Sequence, residues 1–244
     1  MKTVTNFKYI NRNKKIANYT QIVSLVILVG GFVISLNMTD ANSLLYSTLA
    51  LVLGFILFQV SVYFSNHWGR SPRPDEKLAA GLKGLEDKYT FYDYVTVVPQ
   101  LLVGPAGIWI LVPYWQKGSF SYDSTKKRWR QKGGNFLLKL IGQENLGRPE
   151  QDTYNMFQDL QKYISKEVEI PNLPSPQVAM VFLDENAVIE AEDSPIPALR
   201  IDKLKDFMRR QAKENIVKND SKDNGAVDPI RKFQQLLPEE SDSV

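Results

Sequence analysis

The stretch from Val95 to Gly118, VTVVPQLLVGPAGIWILVPYWQKG, decides the fold of the region that follows the N-terminal apolar segments. Two apolar runs, Leu101–Val103 and Ile108–Val112, are joined by the sequence Gly-Pro-Ala-Gly. Short apolar runs bounded by Gly and Pro are typical of buried strands joined by a tight turn. The stretch contains no Asp, Glu or His, and its only charged residue is Lys117. It therefore predicts a packed scaffold without acid-base groups at its centre.

The composition excludes several classes of function. The chain has 244 residues and no cysteine, which removes disulfides, zinc–thiolate sites and thiol catalysis. Its only histidine is His67, so histidine metal sites and Ser-His-Asp catalysis are disfavoured. The formal net charge of +3 is small, and the distribution of charge is more informative than the sum.

Two long apolar segments near the N-terminus predict a transmembrane hairpin over residues 21–66. Residues 21–38 and 43–64 are uncharged, and they would span about 27 and 33 Å as helices, close to the thickness of the hydrocarbon layer. A buried hairpin in a soluble protein is disfavoured because both segments are apolar on all sides. A cleaved signal peptide is disfavoured because a second span follows directly.

The flanking charges predict the orientation of this hairpin. Residues 1–20 form a basic segment without acids, and Arg70, Arg73 and Lys77 follow the second span, whereas the link between the spans contains only Asp40. The positive-inside rule then places both termini in the cytoplasm, with the hairpin in a bacterial-type inner membrane.

The remaining chain predicts an α/β sandwich with a mixed central sheet over residues 75–213, followed by a polar extension over residues 214–244 with a short helix and an acidic tail. We expect helices from Asp75 to about Lys88, at Phe136–Ile141, from Arg148, after an N-cap at Asp202, and at Pro229–Leu237. We expect strands at Tyr89–Val98, in the two central runs, at Ser119–Asp123, Lys127–Lys132, Val178–Leu183, Ala187–Ala191 and Ala198–Ile201.

Three features resemble the nuclease-related domain (NERD) family. A helix with an acid near its start, Asp75-Glu76-Lys77-Leu78, precedes the first strand. The sequence LLVGPAGIWIL at 101–111 is similar to the family's LVVGPGGVFVI, and WQKGS at 115–119 is similar to its NWKG exit, with Trp129 in the next hairpin. The resemblance covers about residues 75–205 and implies a restriction-endonuclease-like core.

The chain departs from the family at the catalytic positions. The family carries an Asp before the first central strand and a Glu-x-Lys pair at the end of the second. These groups hold Mg²⁺, which activates water, and stabilise charge in the transition state. Here Pro99, Val112 and Tyr114 occupy those positions, and Glu76 is the only matching acid. The resemblance therefore implies a degenerate member that binds no cofactor.

Asp93 and Asp123 are the acids that could replace the missing ones. We expect both to be surface or turn residues. If they instead entered the site, the protein would be a membrane-tethered, Mg²⁺-dependent nuclease with relocated acids, and this alternative stays open.

Five cations surround a tryptophan in the predicted hairpin at 126–132. Three interpretations stay open at this point: nucleic-acid binding through phosphates and base stacking, binding to anionic lipid, and a solvated surface. Tyr114 and Trp115 are further candidates, predicted to lie on an exposed contact surface next to Pro113. The contact residues of the hairpin are Lys126, Lys127, Arg128, Trp129, Arg130 and Lys132.

Taken together, the sequence predicts a membrane-anchored cytoplasmic NERD-like domain that acts as a non-enzymatic binding or scaffolding module. The alternatives are the tethered nuclease or nucleic-acid-binding protein and an accessory subunit of a membrane complex. The expected partners are the bilayer, through residues 21–38 and 43–64, anionic lipid or nucleic acid at 126–132, and unidentified proteins.

Overall fold

The computed structural model describes residues 1–37, 40–134, 145–219 and 228–238. The chain divides into two compact units. One unit is helical and consists of Phe7–Arg73, and the other combines Met1–Asn6 with the chain from Pro74 onward. The predicted helical turns at Phe136–Ile141 and the acidic tail lie outside the described residues.

The helical unit is a hairpin of α1 (Phe7–Leu36) and α2 (Ala41–Phe64), which continues into a π-helical turn at Ser65–Gly69. The seam between the helices repeats every seven residues, as in a coiled coil, but with small side chains. Ser61 Oγ donates a hydrogen bond of 3.1 Å across the seam to the carbonyl oxygen of Ala17. The small buried residues are Ala17, Ser24 and Gly31 on α1 and Ser47, Gly54 and Ser61 on α2.

The outer surface of this hairpin is apolar and exposed. Only 11% of the most apolar window of the first helix and 17% of that of the second are buried. The core helix of a soluble protein would bury most of such a surface. The two helices are therefore candidate membrane-spanning segments by length, composition and exposure.

The second unit is an α/β sandwich with a mixed central sheet, as the sequence predicts. The strands are β1 (Lys2–Thr5), β2 (Thr90–Asp93), β3 (Gln100–Gly104), β4 (Gly107–Tyr114), β5 (Ser119–Asp123), β6 (Arg128–Lys132), β7 (Gln177–Phe182), β8 (Val188–Glu190) and β9 (Ala198–Arg200). The central sheet has the order β1-β2-β3-β4-β7-β9, and a smaller sheet has the order β6-β5-β8. The helices are α3 (Pro74–Leu82), α4 (Pro149–Glu167), α5 (Ile201–Asn219) and α6 (Pro229–Leu236).

Helices cover both faces of the central sheet, because alternate residues of its strands enter two separate cores. Ile108, Ile110 and Val112 of β4 belong to one core, which includes Leu160 of α4 and Phe233 of α6. Trp109 and Leu111 belong to the other core, which includes residues of α3 and α5. The central strand β4 thus contributes to both cores, which explains its continuous apolar sequence.

The N-terminal segment differs from the prediction. Residues 2–5 form β1, which pairs in parallel with β2 at the edge of the central sheet, and α1 begins at Phe7. The amide of Lys2 donates to Tyr89 O at 2.9 Å, and the amide of Asn6 donates to Asp93 O at 3.0 Å. The segment was predicted to be a basic tail because four residues are too few to show a strand pattern.

Other element boundaries also need correction. The strand predicted at Tyr89–Val98 is shorter and ends at Asp93, where Tyr94 adopts a positive φ of 56°. The helix after Pro74 ends at Leu82 instead of Lys88. The last long helix begins at Ile201, so Asp202 lies in its first turn and is not its N-cap. That helix continues to Asn219, into the region predicted to be a polar extension from residue 214.

Candidate functional site

The two glycines of the central turn explain its sequence. Gly104 and Gly107 face each other where β3 pairs with β4. Gly107 has φ +104°, a conformation that L side chains rarely adopt. A Cβ on Gly104 would overlap the ring of Tyr89. The Gly-Pro-Ala-Gly turn therefore reflects close backbone packing, and it carries no chemical group.

Val112 and Tyr114, which occupy two of the positions compared with the family's catalytic groups, lie on one face of the central sheet. Pro99, the third position, precedes β3 and is partly buried, and the β3–β4 register would need two further pairs beyond Leu101 and Ile110 to set it opposite Val112. Val112 and Tyr114 are only 5% and 6% exposed. The Tyr114 ring stacks on Phe182 with ring centroids 5.6 Å apart. Apolar side chains thus fill this position.

The burial of Tyr114 corrects one prediction. Tyr114 was expected on an exposed contact surface because it follows Pro113, but β4 continues through Pro113 to Tyr114. The strand pairs in parallel with β7, opposite Phe182, and this places the ring in the core. Trp115 is partly buried and packs against the core on the opposite face. The two aromatic residues therefore do not form one exposed surface.

Two carboxylates that the sequence reasoning passed over lie near Tyr114, in the first turn of α4. Glu150 accepts a hydrogen bond from the backbone N–H of Trp129. Burial raises the pKa of the Tyr114 hydroxyl, and the charges of Asp152 and Glu150 add to the effect. Burial and the charge of Glu150 also raise the pKa of Asp152. The sequence pattern that could have identified these two carboxylates is Pro149 followed by acids, but the same pattern is ordinary at a helix N-terminus.

The acids considered in the sequence do not converge on Val112 and Tyr114. Asp93 follows Phe91 by two residues, so its side chain lies on the opposite face of the sheet. Glu76 belongs to α3, which packs on that opposite face. Among the described residues, no group of three or more His, Asp or Glu is placed to hold a metal ion.

Asp93 and Asp123 have different structural roles. Asp93 is 1% exposed, which corrects its prediction as a surface or turn residue, and its Oδ1 lies 3.4 Å from Gln100 Nε2. Asp123 is the last residue of β5, at the start of the β5–β6 turn. It accepts the Lys126 amide at 3.0 Å and pairs with Arg130 at 2.6 Å. The Lys126 amide, aided by the positive charge of Arg130, lowers the pKa of Asp123.

The β5–β6 hairpin presents its cations to solvent. Lys126 and Lys127 occupy the turn, and the side chains on β6 alternate between two faces. Arg128, Arg130 and Lys132 are exposed on one face. Arg130 is paired with Asp123. The hairpin is thus a surface with several exposed cations.

Trp129 occupies the other face of β6 and is only 8% exposed. Its ring packs beside Tyr122, with ring centroids 5.6 Å apart. Base stacking by Trp129, which belongs to one of the three open interpretations, is disfavoured because the ring lies in the core. What remains at the surface is positive charge, which can contact phosphates of any polyanion.

An apolar pocket of about 560 Å³ lies behind the hairpin, between β6, the first turns of α4 and the segments around Pro176 and Pro197. Its walls carry aromatic rings and prolines, with Lys127 and Glu150 as the charged groups. The aromatic residues that line it are Trp109, Tyr122, Trp129, Tyr154 and Phe157. This pocket can accept an apolar group, but its mixed charges do not define one ligand class.

No family model, no curated protein and no solved structure matches this chain.

Proposed function

We propose that this protein is a membrane-anchored binding module built on a NERD-like, restriction-endonuclease-like domain without nuclease activity. The observation that carries the proposal is the apolar filling of the family's catalytic positions by Val112 and Tyr114. Metal-dependent phosphodiester hydrolysis needs carboxylates that hold Mg²⁺ and a water molecule beside the phosphate. A buried valine and a tyrosine stacked in the core supply neither ligands nor room for water.

The order of elements along the chain supports anchoring by a hairpin that crosses the membrane twice. Strand β1 precedes α1 in the chain, and it pairs with β2, which follows α2. Because a sheet does not form across a bilayer, this pairing supports a hairpin whose two ends emerge on the same side. The basic residues at these ends favour the cytoplasmic side of an inner membrane, with both termini in the cytoplasm.

The surface proposed for binding is the basic face of the β5–β6 hairpin. Arg128 and Lys132 are exposed there, and Lys126 and Lys127 extend the charge into the turn. Because Trp129 is buried, this surface offers charge without base stacking. We expect phosphate contacts with a polyanion, either nucleic acid or anionic lipid, with affinity that falls as salt rises.

A binding assay on the full chain in nanodiscs tests this surface. Binding of single-stranded DNA and of anionic vesicles is measured between about 50 and 500 mM salt, with an Arg128→Gln/Lys132→Gln variant beside the unmodified chain. Salt-sensitive binding that the variant weakens supports the proposal. Unchanged binding by the variant, or no binding of either polyanion, contradicts the assignment of this surface.

The absence of nuclease activity is tested separately. The purified full chain is incubated with single- and double-stranded DNA in Mg²⁺ or Mn²⁺, and we expect no cleavage above the background of an Asp93→Asn/Asp123→Asn preparation. Cleavage that Asp93→Asn or Asp123→Asn removes would establish the tethered nuclease instead. Stoichiometric co-purification of another membrane protein in mild detergent would favour the accessory-subunit alternative.

A further inference from the structure

The geometry of the hairpin defines the depth at which the N-terminal part of α1 would lie in a bilayer. The Ser61–Ala17 hydrogen bond places these two residues at one height in the seam. About 20 residues separate Ala17 from the end of α1 at Leu36, and about 20 separate Ser61 from the start of α2 at Ala41. At about 1.5 Å per residue, both lengths equal a hydrocarbon thickness of about 30 Å. If the helices cross a bilayer, as proposed above, Ala17 and Ser61 mark its inner hydrocarbon edge.

Positive side chains follow directly below this edge on the unbroken helix α1. Lys15 lies two residues and Arg12 five residues from Ala17, which are axial distances of about 3 and 7.5 Å. The headgroup layer on each side of a bilayer is about 5–7.5 Å thick. Lys8 lies about 13.5 Å below the edge, still within reach of its long side chain and the surface potential.

These cations share the face of α1 that points away from α2. Lys8, Arg12 and Lys15 have the spacing i, i+4, i+7, and Tyr19 continues it at i+11. The buried seam residues Ile10 and Ala17 occupy the opposite side of the helix. Tyr19 is 68% exposed and lies just inside the hydrocarbon edge, where aromatic side chains are favoured.

Nothing in the described part of the unit neutralises this stripe. The sequence has no acid before Asp40, and Asp40 lies at the far tip, where it caps α2 by accepting the Ser43 amide at 2.9 Å. None of the three cations forms a salt bridge among the described residues. The Arg12 guanidinium lies 5.2 Å from the centre of the Tyr9 ring, a cation–π contact that orients it.

We propose that Lys8, Arg12 and Lys15, with Tyr19 above them, form a binding surface for the headgroups of anionic phospholipids on the domain side of the membrane. The inference rests on the proposed membrane anchor. It assigns lipid recognition to α1, which is separate in the chain from the basic hairpin at 126–132. The three positive side chains would lie at the depth of the lipid phosphates, and Tyr19 would contact the upper part of the acyl chains.

The test measures lipid selectivity at the surface of the intact, bilayer-inserted chain. The full chain is placed in bilayers of phosphatidylcholine with trace spin-labelled phosphatidylglycerol or phosphatidylcholine, and the motionally restricted fraction gives the relative association constant. One cation near the surface contributes up to about fivefold, which corresponds to about 1 kcal/mol. We expect phosphatidylglycerol to be preferred about three- to fivefold. The preference should disappear in Lys8→Gln/Arg12→Gln/Lys15→Gln and at about 1 M salt, where the screening length is about 3 Å.

The Lys162→Gln/Lys166→Gln variant is the matched control, since it also removes exposed cations but neither those of α1 nor those of the β5–β6 hairpin. It should keep the full preference. Equal association of the two lipids with the unmodified chain overturns the headgroup surface, as does a preference that survives in the triple variant or disappears in the control. Extraction of the chain from membranes by alkaline carbonate is a different result, because it overturns the membrane anchor itself.

Discussion

The seam of the helical hairpin makes a sharp prediction, because two adjacent glycines have opposite environments. A Cβ on Gly31 would lie 2.9 Å from Ala50 Cβ and 3.3 Å from the Leu51 backbone nitrogen. A Cβ on neighbouring Gly30 would meet nothing within 4 Å. Gly31→Leu should therefore force the helices apart, whereas Gly30→Leu should only add an apolar side chain to the outer surface.

The contacts at Gly31 and Gly54 set the expected free-energy cost of these substitutions. Overfilling a packed interface costs about 1–3 kcal/mol, which corresponds to about a 5- to 150-fold increase in the population of separated helices. A second seam variant, Gly54→Leu, should behave like Gly31→Leu, because its Cβ would lie 2.7 Å from Leu28 Cγ and 3.2 Å from the Leu28 nitrogen. Leu in place of Gly favours the helix itself, which offsets less than about 1 kcal/mol of the cost.

The absence of cysteine from the chain gives a clean assay. A single cysteine replaces Ser24, which is 1% exposed in the seam, and its alkylation in detergent micelles is followed with a fluorogenic maleimide during heating. In the Gly31→Leu and Gly54→Leu backgrounds, alkylation should be faster and begin at a lower temperature. In the Gly30→Leu background it should match the parent. Equal acceleration by Gly30→Leu and Gly31→Leu would refute the reasoning.

Three further predictions concern the α/β unit. Tyr114→Phe should raise the free energy of unfolding by about 1–3 kcal/mol, because the buried hydroxyl has no hydrogen-bond partner among the described residues. It should also remove the loss of stability above about pH 10 that follows from the raised pKa of Tyr114. Chemical denaturation at about pH 7 and pH 10.5 tests both effects. An NMR titration should give the Asp123 carboxyl a pKa below its ordinary value. The charged carboxylate then stabilises the fold above the unfolded pKa, and this contribution is lost as pH falls through the folded pKa. Arg130→Gln should only partly restore the ordinary pKa, because the hydrogen bond from the Lys126 amide is the main cause of the shift. Val112→Glu with Tyr114→Lys introduces the Glu and Lys of the NERD pattern. It should yield destabilised protein without DNA cleavage, because both side chains are buried. A stable variant that cleaves DNA with Mg²⁺ would contradict the filled-site interpretation.

The features that sequence reasoning predicted well are those with a strong local signal. The two apolar spans were evident from length and absence of charge, and the pair β3–β4 from apolar runs around the Gly-Pro-Ala-Gly turn. Two short strands around a polar turn also identified the hairpin β5–β6, and a helical apolar rhythm identified α4. In each case the pattern lies within a single element or a single turn.

The features that were missed depend on contacts between distant parts of the chain. Strand β1 exists because β2, more than 80 residues later, offers it an edge. Tyr114 and Trp129 were expected at the surface, and both are buried because Phe182, from a strand far along the chain, completes their core. The carboxylates Glu150 and Asp152 looked like ordinary helix N-terminal acids, and only the packing of α4 brings them near Tyr114.

The pairing of β1 with β2 gives the most direct test of a membrane hairpin that carries its whole α/β domain on one side. A single cysteine replaces Thr3 in β1, Asn42 at the tip of the hairpin, or Lys83 in the domain, and each variant is labelled with a membrane-impermeant maleimide in intact cells and in inverted membrane vesicles. We predict that the Thr3→Cys and Lys83→Cys variants react only in inverted vesicles and that the Asn42→Cys variant reacts only in intact cells. Labelling of the Thr3→Cys and Lys83→Cys variants from opposite sides of the membrane would contradict the account.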